Sequence, residues 1–346
     1  MKTYDCFIFH DELDLLELRL NILNDYVDYF IIVESAITFQ GAEKEFLFEK
    51  NKNRFVEFEN KIIHFKVKSY DIDFVNLPYV AKPKNTDELV LNKIYKFIDE
   101  CQNFDKETQF WWGNDFFQRE CIWRAIAVAD PKIGDLILLS DVDEIPDPIT
   151  IAQVKKRITA DSIIYFQQHE FCYFLNHYHN SNWIGTCCFV FSEFAVPSLN
   201  MIRAAAKSSK VNTLEIINDG GWHFTSIGNI EAIKNKIQSW GHREFNTSAT
   251  LSSVDYNVMH GYDIFRRPGF GRLKYIPATS SILPEYLVKN SGKFERLIGP
   301  EIAKESLLQW VYYTAYFYLR AKTTGILRRL KLIKHRYFLK RAKEQE

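Results

Sequence analysis

The hydrophobic residues at the start of the chain fall into strand-length runs separated by one helix-spaced stretch. Residues 4–9 and 29–34 are mainly apolar runs typical of strands buried on both faces of a sheet, and residues 61–67 predict a third strand. Between the first two runs a helix is predicted, with Asp11 and Asp14 as a weak capping box at its start. This β-α-β-β order predicts an α/β fold built on a mostly parallel sheet with helices on both faces.

Later segments predict further elements of one large domain. The spacing of apolar residues predicts, in chain order, a helix at 115–129, a strand at 136–139, a helix at about 149–158 and a strand at 162–167. Residues 80–109 are charged and polar and predict a segment that contains a loop, and the aromatic region after residue 167 predicts mainly loops. We therefore expect one domain over residues 1–300 and a helical C-terminal extension at 301–346.

The charge and composition of the chain argue against several functions and cellular locations. The formal net charge is zero, but the ten Lys or Arg and two Glu from Arg320 onward leave the rest of the chain at minus eight, which argues against a nucleic-acid groove. The start of the chain lacks the apolar stretch of a signal peptide, and no run reaches 18 apolar residues. The six cysteines show no CxxC spacing. These features predict a cytoplasmic protein with reduced thiols and no membrane-spanning helix.

The end of the chain has its own pattern, with aromatic residues concentrated at 307–319 and basic residues at 328–343. Residues 307–343 could lie on an anionic membrane surface, with the rings in the interface and the cations against lipid headgroups. They could equally form a helix that packs on the body and carries a solvated basic face. Helical spacing alone does not separate these two interpretations.

A buried strand is followed directly by a carboxylate cluster in residues 134–148, which read GDLILLSDVDEIPDP. Asp141 and Asp143 form a D-x-D pattern on a turn at the strand end, from which both carboxylates can reach one divalent cation. Nucleotide-sugar-dependent transferases use this pattern to hold the donor diphosphate. Glu144 and Asp147 are interpreted as supports of the loop, and Asp147 also fits a cap of the following helix.

A second group of functional residue types occupies residues 219–225, which read DGGWHFT. The two glycines allow the backbone to approach a ligand closely, and Trp222 offers a flat face for stacking. His223 is predicted as a third ligand for Mn²⁺, beside Asp141 and Asp143.

Three carboxylates are candidates for the general base that deprotonates an incoming hydroxyl. Asp219 opens the second group, Glu170 follows a predicted strand, and Glu244 lies further along the chain. The sequence predicts Asp219 or Glu170 as the catalytic residue, with Glu244 as a further alternative.

Four blocks in this order resemble glycosyltransferase family 17, which is typified by the β-1,4-mannosyl-glycoprotein 4-β-N-acetylglucosaminyltransferases. The blocks are residues 5–23 (DCFIFHDELDLLELRLNIL), 30–41 (FIIVESAITFQG), 140–148 (SDVDEIPDP) and 220–228 (GGWHFTSIG). The resemblance covers the body to about residue 267 and not the region after residue 300. It implies a GT-A type fold, in which helices flank a nucleotide-sugar-binding sheet with a D-x-D loop.

The resemblance also implies an activity. A UDP-sugar, UDP-GlcNAc in the first place, would be the donor, and transfer to a glycan hydroxyl would invert the anomeric carbon. Asp141 and Asp143 would belong to the D-x-D, and His223 would be the additional ligand of Mn²⁺ or Mg²⁺.

Three more residues are assigned to the donor site on the same basis. Glu34 and Ser35, at the end of the second strand, would lie near the nucleotide pocket. Arg119 would orient the D-x-D loop or meet the diphosphate, although its spacing alone describes only a helix arginine.

The acceptor is not implied by the resemblance. The basic, aromatic tail and the expected cytoplasmic location favour a lipid-linked or lipopolysaccharide glycan at the inner membrane face. Two other functions remain open: a haloacid-dehalogenase-like phosphohydrolase that uses the D-x-D for nucleophilic chemistry, and a catalytically silent sugar- or metal-binding protein.

Overall fold

The computed structural model describes residues 1–69, 73, 75–100, 110–192, 198–208, 213–239, 245–267, 269–311 and 313–315. Within these ranges a curled sheet contains ten strands, namely β1 (Thr3–Phe9), β2 (Tyr29–Ser35), β3 (Ile62–Val67), β4 (Leu136–Asp141), β5 (Glu144–Pro146), β6 (Ile163–Cys172), β7 (His177–Val190), β8 (Glu215–Ile217), β9 (Gly221–Thr225) and β10 (Lys274–Tyr275). The flanking helices are α1 (Leu13–Leu23), α2 (Leu47–Asn51), α3 (Thr86–Glu100), α4 (Phe110–Ala129), α5 (Pro148–Val154), α6 (Leu199–Ala205), α7 (Ile230–Ser239), α8 (Ser248–Met259) and α9 (Glu285–Lys289). Short 3₁₀ segments cover Lys52–Phe58 and Ser291–Leu297.

The strands run in the order β3-β2-β1-β4-β7-β6-β9-β5, with β8 paired to β6 and β10 to β7. The first four are parallel, and β7 joins β4 in antiparallel orientation. Because β1 and β4 are parallel neighbours with Ile8 opposite Asp141, their carboxyl ends meet at one edge of the sheet. Ligand sites of open α/β sheets lie at this kind of edge.

The central strands are buried from both sides, as their uninterrupted apolar sequences predict. Along β1, Phe7 and Phe9 pack into the core that includes α1, while Cys6 and Ile8 pack into the core that includes α3 and α4. Burying one such side chain fully stabilises the fold by about 1.5–3 kcal/mol. Helical layers therefore cover both faces of the sheet, and this packing holds the carboxyl ends of its strands in place. The α/β prediction with helices on both faces is confirmed.

The charged stretch that begins at residue 80 contains the predicted loop, at 81–85, and then α3, in which the buried Val90, Ile94 and Ile98 recur at helical spacing. The prediction of a loop-rich aromatic region after residue 167 is wrong, because β6 extends to residue 172 and β7 supplies 14 more strand residues. In both segments tertiary packing outweighs local polarity.

The predicted capping box of α1 is also absent. The N-cap is Glu12, which makes no side-chain capping bond to the helix. Its carboxylate instead accepts from the backbone N–H groups of His10 and Asp11, which precede the helix. The helix is held by its packed apolar face rather than by a cap.

The described C-terminal part is helical at 307–311 and 313–315, and it contacts the body through residues 303, 305 and 313. No helix in the described ranges is long and apolar enough to cross a membrane. Five cysteines in these ranges are buried and unpaired, while Cys101 lies outside them. The division into residues 1–300 and 301–346 stays a prediction.

Candidate active site

A cavity of about 250 Å³ opens at the carboxyl ends of β1 and β4. The turn between β4 and β5 forms one wall, and α4, α7 and β9 contribute the others. The wall is densely charged, with the carboxylates Glu12, Asp115, Asp141, Asp143, Glu144 and Glu170 and the cations Arg119, Lys207, Lys236 and Arg267. Such a mixture in a concave, partly apolar site is the pattern of a polar ligand site.

Asp141 lies at the end of β4 between two arginines. Its Oδ1 is 3.3 Å from Arg119 Nη2 and its Oδ2 is 3.1 Å from Arg203 Nη2. Burial alone would raise the pKa of Asp141, but the charges of Arg203 and Arg119 outweigh it and hold the pKa well below its ordinary value. Asp141 is therefore an ionised carboxylate that organises two cations at the pocket wall.

Asp143 has a different environment two residues further along the same turn. Its Oδ1 is 3.9 Å from His223 Nε2, and its Oδ2 is 3.7 Å from Lys236 Nζ. Burial raises the pKa of Asp143, although the charges of His223 and Lys236 oppose the shift. The pairing of β5 with β9, which aligns Glu144 with His223, brings these groups together.

His223 is held between a ring and a carboxylate. Its imidazole stacks on Trp183, with ring centroids 4.2 Å apart, and its Nδ1 lies 3.6 Å from Glu170 Oε1. Burial disfavours the charged imidazole, but Glu170 and then Asp143 outweigh burial and raise the pKa of His223. Glu170 also accepts a hydrogen bond of 2.5 Å from His179 Nδ1. These contacts direct His223 Nε2 towards Asp143.

Glu144 supports the turn instead of facing the ligand space freely. Its carboxylate accepts from Trp183 Nε1 at 2.9 Å, from Arg203 at 2.7 Å and from the backbone N–H of Asp141 at 3.0 Å. Asp147 caps α5 through the backbone N–H of Thr150. Both residues thus have the supporting role that the sequence predicts for them.

The backbone of the D-x-D turn is anchored by Arg19, which lies in α1 and is fully buried. The guanidinium donates to both carboxylate oxygens of Asp5, at 2.7 and 2.5 Å. It also donates to three backbone carbonyl oxygens of the turn, those of Asp141, Val142 and Glu144. The turn is therefore tied to β1 and α1 independently of its own side chains.

Comparison with protein families decides the affiliation of the chain. The family model for glycosyltransferase family 17 matches residues 1–92 and 79–305. The chain belongs to glycosyltransferase family 17. A comparison with curated proteins returned no match to this sequence. Family 17 membership makes the protein a transferase with a nucleotide-sugar donor and a glycan acceptor, and it takes precedence over the phosphohydrolase interpretation.

A divalent cation requires oxygen or nitrogen ligands at a defined distance from one point, and the side chains of the pocket meet this requirement in part. Among the described residues no group of three His, Cys, Asp or Glu side chains is spaced to hold a metal ion. Asp143 Oδ1 and His223 Nε2 are 3.9 Å apart, and two ligands about 2.1 Å from one ion lie roughly 3.0–4.2 Å apart. The oxygens of Asp141, by contrast, are each engaged by an arginine. Asp143 and His223 thus have the spacing of two ligands of one ion, whereas Asp141 pairs with Arg119 and Arg203.

Arg119 and Glu170 line the pocket as the sequence predicts, whereas Glu34, Ser35 and Trp222 lie elsewhere. Glu34 is buried and accepts from the backbone N–H groups at the start of α2 and from Lys44. Ser35 Oγ accepts from the N–H of residue 37. The indole of Trp222 donates to the carbonyl of residue 282 at 2.7 Å, on the opposite side of β9 from His223.

The structure does not bring Asp219 to the pocket. Its side chain is 76% exposed and its Oδ1 is 3.3 Å from His169 Nε2. The backbone of Asp219 has a φ of +53°, because it occupies the turn before β9. Glu244 lies outside the described residues. Of the two candidate bases that the structure describes, Glu170 is the one found at the pocket.

Five residues at the site have no counterpart in the sequence predictions. Trp183, Lys207 and Lys236 line the pocket, and Arg19 and Arg203 bind the D-x-D turn behind it. Of these residues, Arg19 is the one that the sequence could have indicated, because a charged residue on the apolar side of a helix requires a buried partner. Trp183 and Arg203 are distant in sequence from the D-x-D, and only strand pairing and helix packing bring them to it.

Proposed function

We propose that this family 17 protein transfers GlcNAc from UDP-GlcNAc to a hydroxyl group of a glycan acceptor, with inversion at the anomeric carbon. The observation that carries the proposal is the cationic wall of Arg119, Arg203 and Lys207, which surrounds the D-x-D turn at the carboxyl edge of the sheet. The positive charges of this wall attract a diphosphate, while its guanidinium groups are themselves paired with Asp141 and Glu144. His10, Phe39 and Trp112 line the same pocket and offer flat faces for the uracil.

In this proposal Asp143 and His223 would hold Mn²⁺ or Mg²⁺ next to the diphosphate. When bound, the ion would neutralise the charge that develops on UDP as it leaves. Glu170, 3.6 Å from His223 Nδ1, keeps the ring oriented so that Nε2 faces Asp143. A carboxylate that orients a ligating histidine from its other nitrogen is a common arrangement around bound metals.

Glu170 is also our choice for the general base. The acceptor oxygen would attack the anomeric carbon, its proton would pass to Glu170, and the bond from that carbon to the UDP oxygen would break with both electrons leaving on UDP. His179, which donates to Glu170 Oε2, fixes the carboxylate in place. Asp219 is not our choice because it is exposed to solvent away from the pocket.

The acceptor that we propose is a lipid-linked or lipopolysaccharide glycan at the inner face of a membrane, reached by a cytoplasmic enzyme. Residues 307–343 would supply a peripheral contact with anionic lipid. In the described part of this segment Leu307, Leu308 and Val311 are 75%, 83% and 48% exposed. Flotation with anionic vesicles, comparing the full chain with one that ends at Lys304, tests this contact. Equal flotation of both chains would contradict it.

The donor proposal is tested by following UDP release from a panel of UDP-sugars in Mn²⁺, and then in EDTA. Slow hydrolysis of UDP-GlcNAc that stops with EDTA and returns with Mn²⁺ is the expected result. UDP-GlcNAc binding without release would favour the alternative of a catalytically silent binding protein. Release that is equally fast in EDTA would contradict the metal assignment.

A further inference from the structure

A second cavity, of about 330 Å³, lies beside the active-site pocket. It is lined by α8, by residues 262–263, 266–267 and 269–271, and by residues 305, 310, 313 and 314. Its volume falls in the roughly 300–1,000 Å³ range of small-molecule sites. Leu273 N donates to Gly261 O, which joins the two ends of the stretch that contributes residues 262–263, 266–267 and 269–271 to the cavity.

We propose that this second cavity binds a neutral saccharide unit of the acceptor. Aromatic rings form its walls, with Tyr256 stacked on Tyr313 at an interplanar angle of 11° and Trp310 beside them. A sugar ring has an apolar C–H face and a rim of hydroxyl groups, so that aromatic walls with a few polar groups complement it. The inference rests on the proposed transferase function, to which it adds the place and the class of the acceptor.

Two buried polar atoms at the second cavity have no hydrogen-bond partner among the described residues. They are Tyr256 Oη and Glu305 Oε1. The other oxygen of Glu305 accepts from Tyr262 Oη at 2.6 Å. The lining residues Tyr256 and Glu305 thus each keep a hydrogen-bonding atom without a described partner, and such a group costs about 1–3 kcal/mol while it stays buried.

The charges of the second cavity favour a neutral ligand. Its charged lining consists of Asp263, Glu305, Arg266 and Arg267, which balance in number. Arg267 Nε is 3.0 Å from Asp263 Oδ2, so one pair is already neutralised internally. Its described lining therefore has no excess positive charge to attract a uronic or sialic acid and no excess negative charge to attract an amino sugar.

The second cavity adjoins the proposed base. Arg267 lines both cavities, and Phe265, two residues earlier, lines the active-site pocket. Phe270 lines the second cavity, and its ring stacks on His179 with centroids 3.7 Å apart. His179 in turn donates to Glu170. A saccharide in the second cavity would therefore continue towards Glu170 with its next sugar.

The loop between the cavities is held in place by a buried tyrosine. Tyr173 Oη donates to the carbonyl of Tyr262 and accepts from the N–H of Ile264, at 3.1 and 3.0 Å. Arg266, in the same loop, has a φ of +53°, a backbone conformation that is costly for a residue with a side chain. Strain that is retained in an anchored loop is consistent with a ligand-positioning role.

Saturation-transfer NMR on the full-length protein, with UDP present, tests the proposal. The probes are the methyl glycosides of mannose, glucose, galactose and N-acetylglucosamine, with methyl glucuronide as the anionic comparison. We expect at least one neutral glycoside to bind. Removing a hydrogen bond to an uncharged group should weaken its binding about threefold to tenfold in Tyr256→Phe, and Trp310→Ala should weaken it further. Tyr26→Phe, at a tyrosine that is 43% exposed outside the cavity, is the matched control.

Calorimetric titration of each variant with UDP, and its melting temperature, separate a lost site from a lost fold. The proposal is overturned if the wild type binds UDP but no neutral glycoside, if both cavity variants bind glycoside as the wild type does, or if glucuronide binds best. If the wild type binds a neutral glycoside through the cavity but does not bind UDP, the saccharide site stands and the proposed transferase function fails.

Discussion

Replacing the buried Arg19 tests whether the D-x-D turn is anchored from α1. Arg19→Met keeps the length of the side chain but leaves Asp5, which is fully buried, without its partner. Breaking a buried ion pair by removing one partner costs about 3–5 kcal/mol, because the remaining charge stays desolvated. The carbonyl oxygens of the turn lose a donor as well. We therefore expect the free energy of unfolding to fall by about 3–5 kcal/mol.

Urea unfolding followed by fluorescence and by circular dichroism measures the loss and shows whether the two transitions coincide. The matched control is Arg124→Met, because Arg124 pairs with Asp87, whose side chain is 69% exposed. A pair with one exposed partner, such as this one, contributes about 0–1 kcal/mol. The double variant Arg19→Met/Asp5→Leu should recover part of the loss, since it removes the stranded carboxylate. A loss no larger than that of the control would refute the anchoring role.

Two further substitutions test the turn and the pocket wall. Gly221→Ala should lower the free energy of unfolding by about 1–3 kcal/mol, because Gly221 has a φ of +138° and a Cβ there would lie 2.2 Å from Ile145 O. The control is Gly292→Ala, where a Cβ meets open space. A melting temperature of Gly221→Ala no lower than that of the control would contradict this prediction. Arg203→Lys should weaken UDP binding in calorimetry about tenfold or more, because an ammonium cannot reproduce the fork that spans the turn carboxylates. Arg157→Lys, at an exposed pair, is its control, and equal UDP affinity of the two variants would count against the cationic wall.

The strand framework could be predicted from the sequence because it depends on local pattern. Strands that are apolar on both faces, such as β1, β2 and β4, belong in the interior of a parallel sheet. The position of Asp141 and Asp143 at the end of a strand follows from the same pattern. Helix α3 was not predicted, because its sequence is rich in charged residues, although Val90 and Ile94 have helical spacing.

The candidate site was predicted less completely. One reason is that the prediction placed Trp222 and His223 in the same site, although adjacent residues in a strand point to opposite faces. Trp222 and His223 are neighbours in β9, so one pocket cannot receive both side chains, and the ring that stacks on His223 comes from Trp183 in β7. Alternation alone could have shown this. The approach of Arg203 to Asp141 could not be read from the sequence, since it depends on how α6 packs against the sheet 62 residues further along the chain.

The most direct test of the account is UDP release from UDP-GlcNAc in Mn²⁺ by the wild type and by Asp143→Ala. Asp143 is the carboxylate whose Oδ1 is 3.9 Å from His223 Nε2, and we predict nearly complete loss of release on its removal. Asp255→Ala, at a side chain that is 58% exposed, should release UDP at the wild-type rate. Release by Asp143→Ala at the wild-type rate would contradict the claim that the D-x-D turn activates the donor through Asp143 and His223.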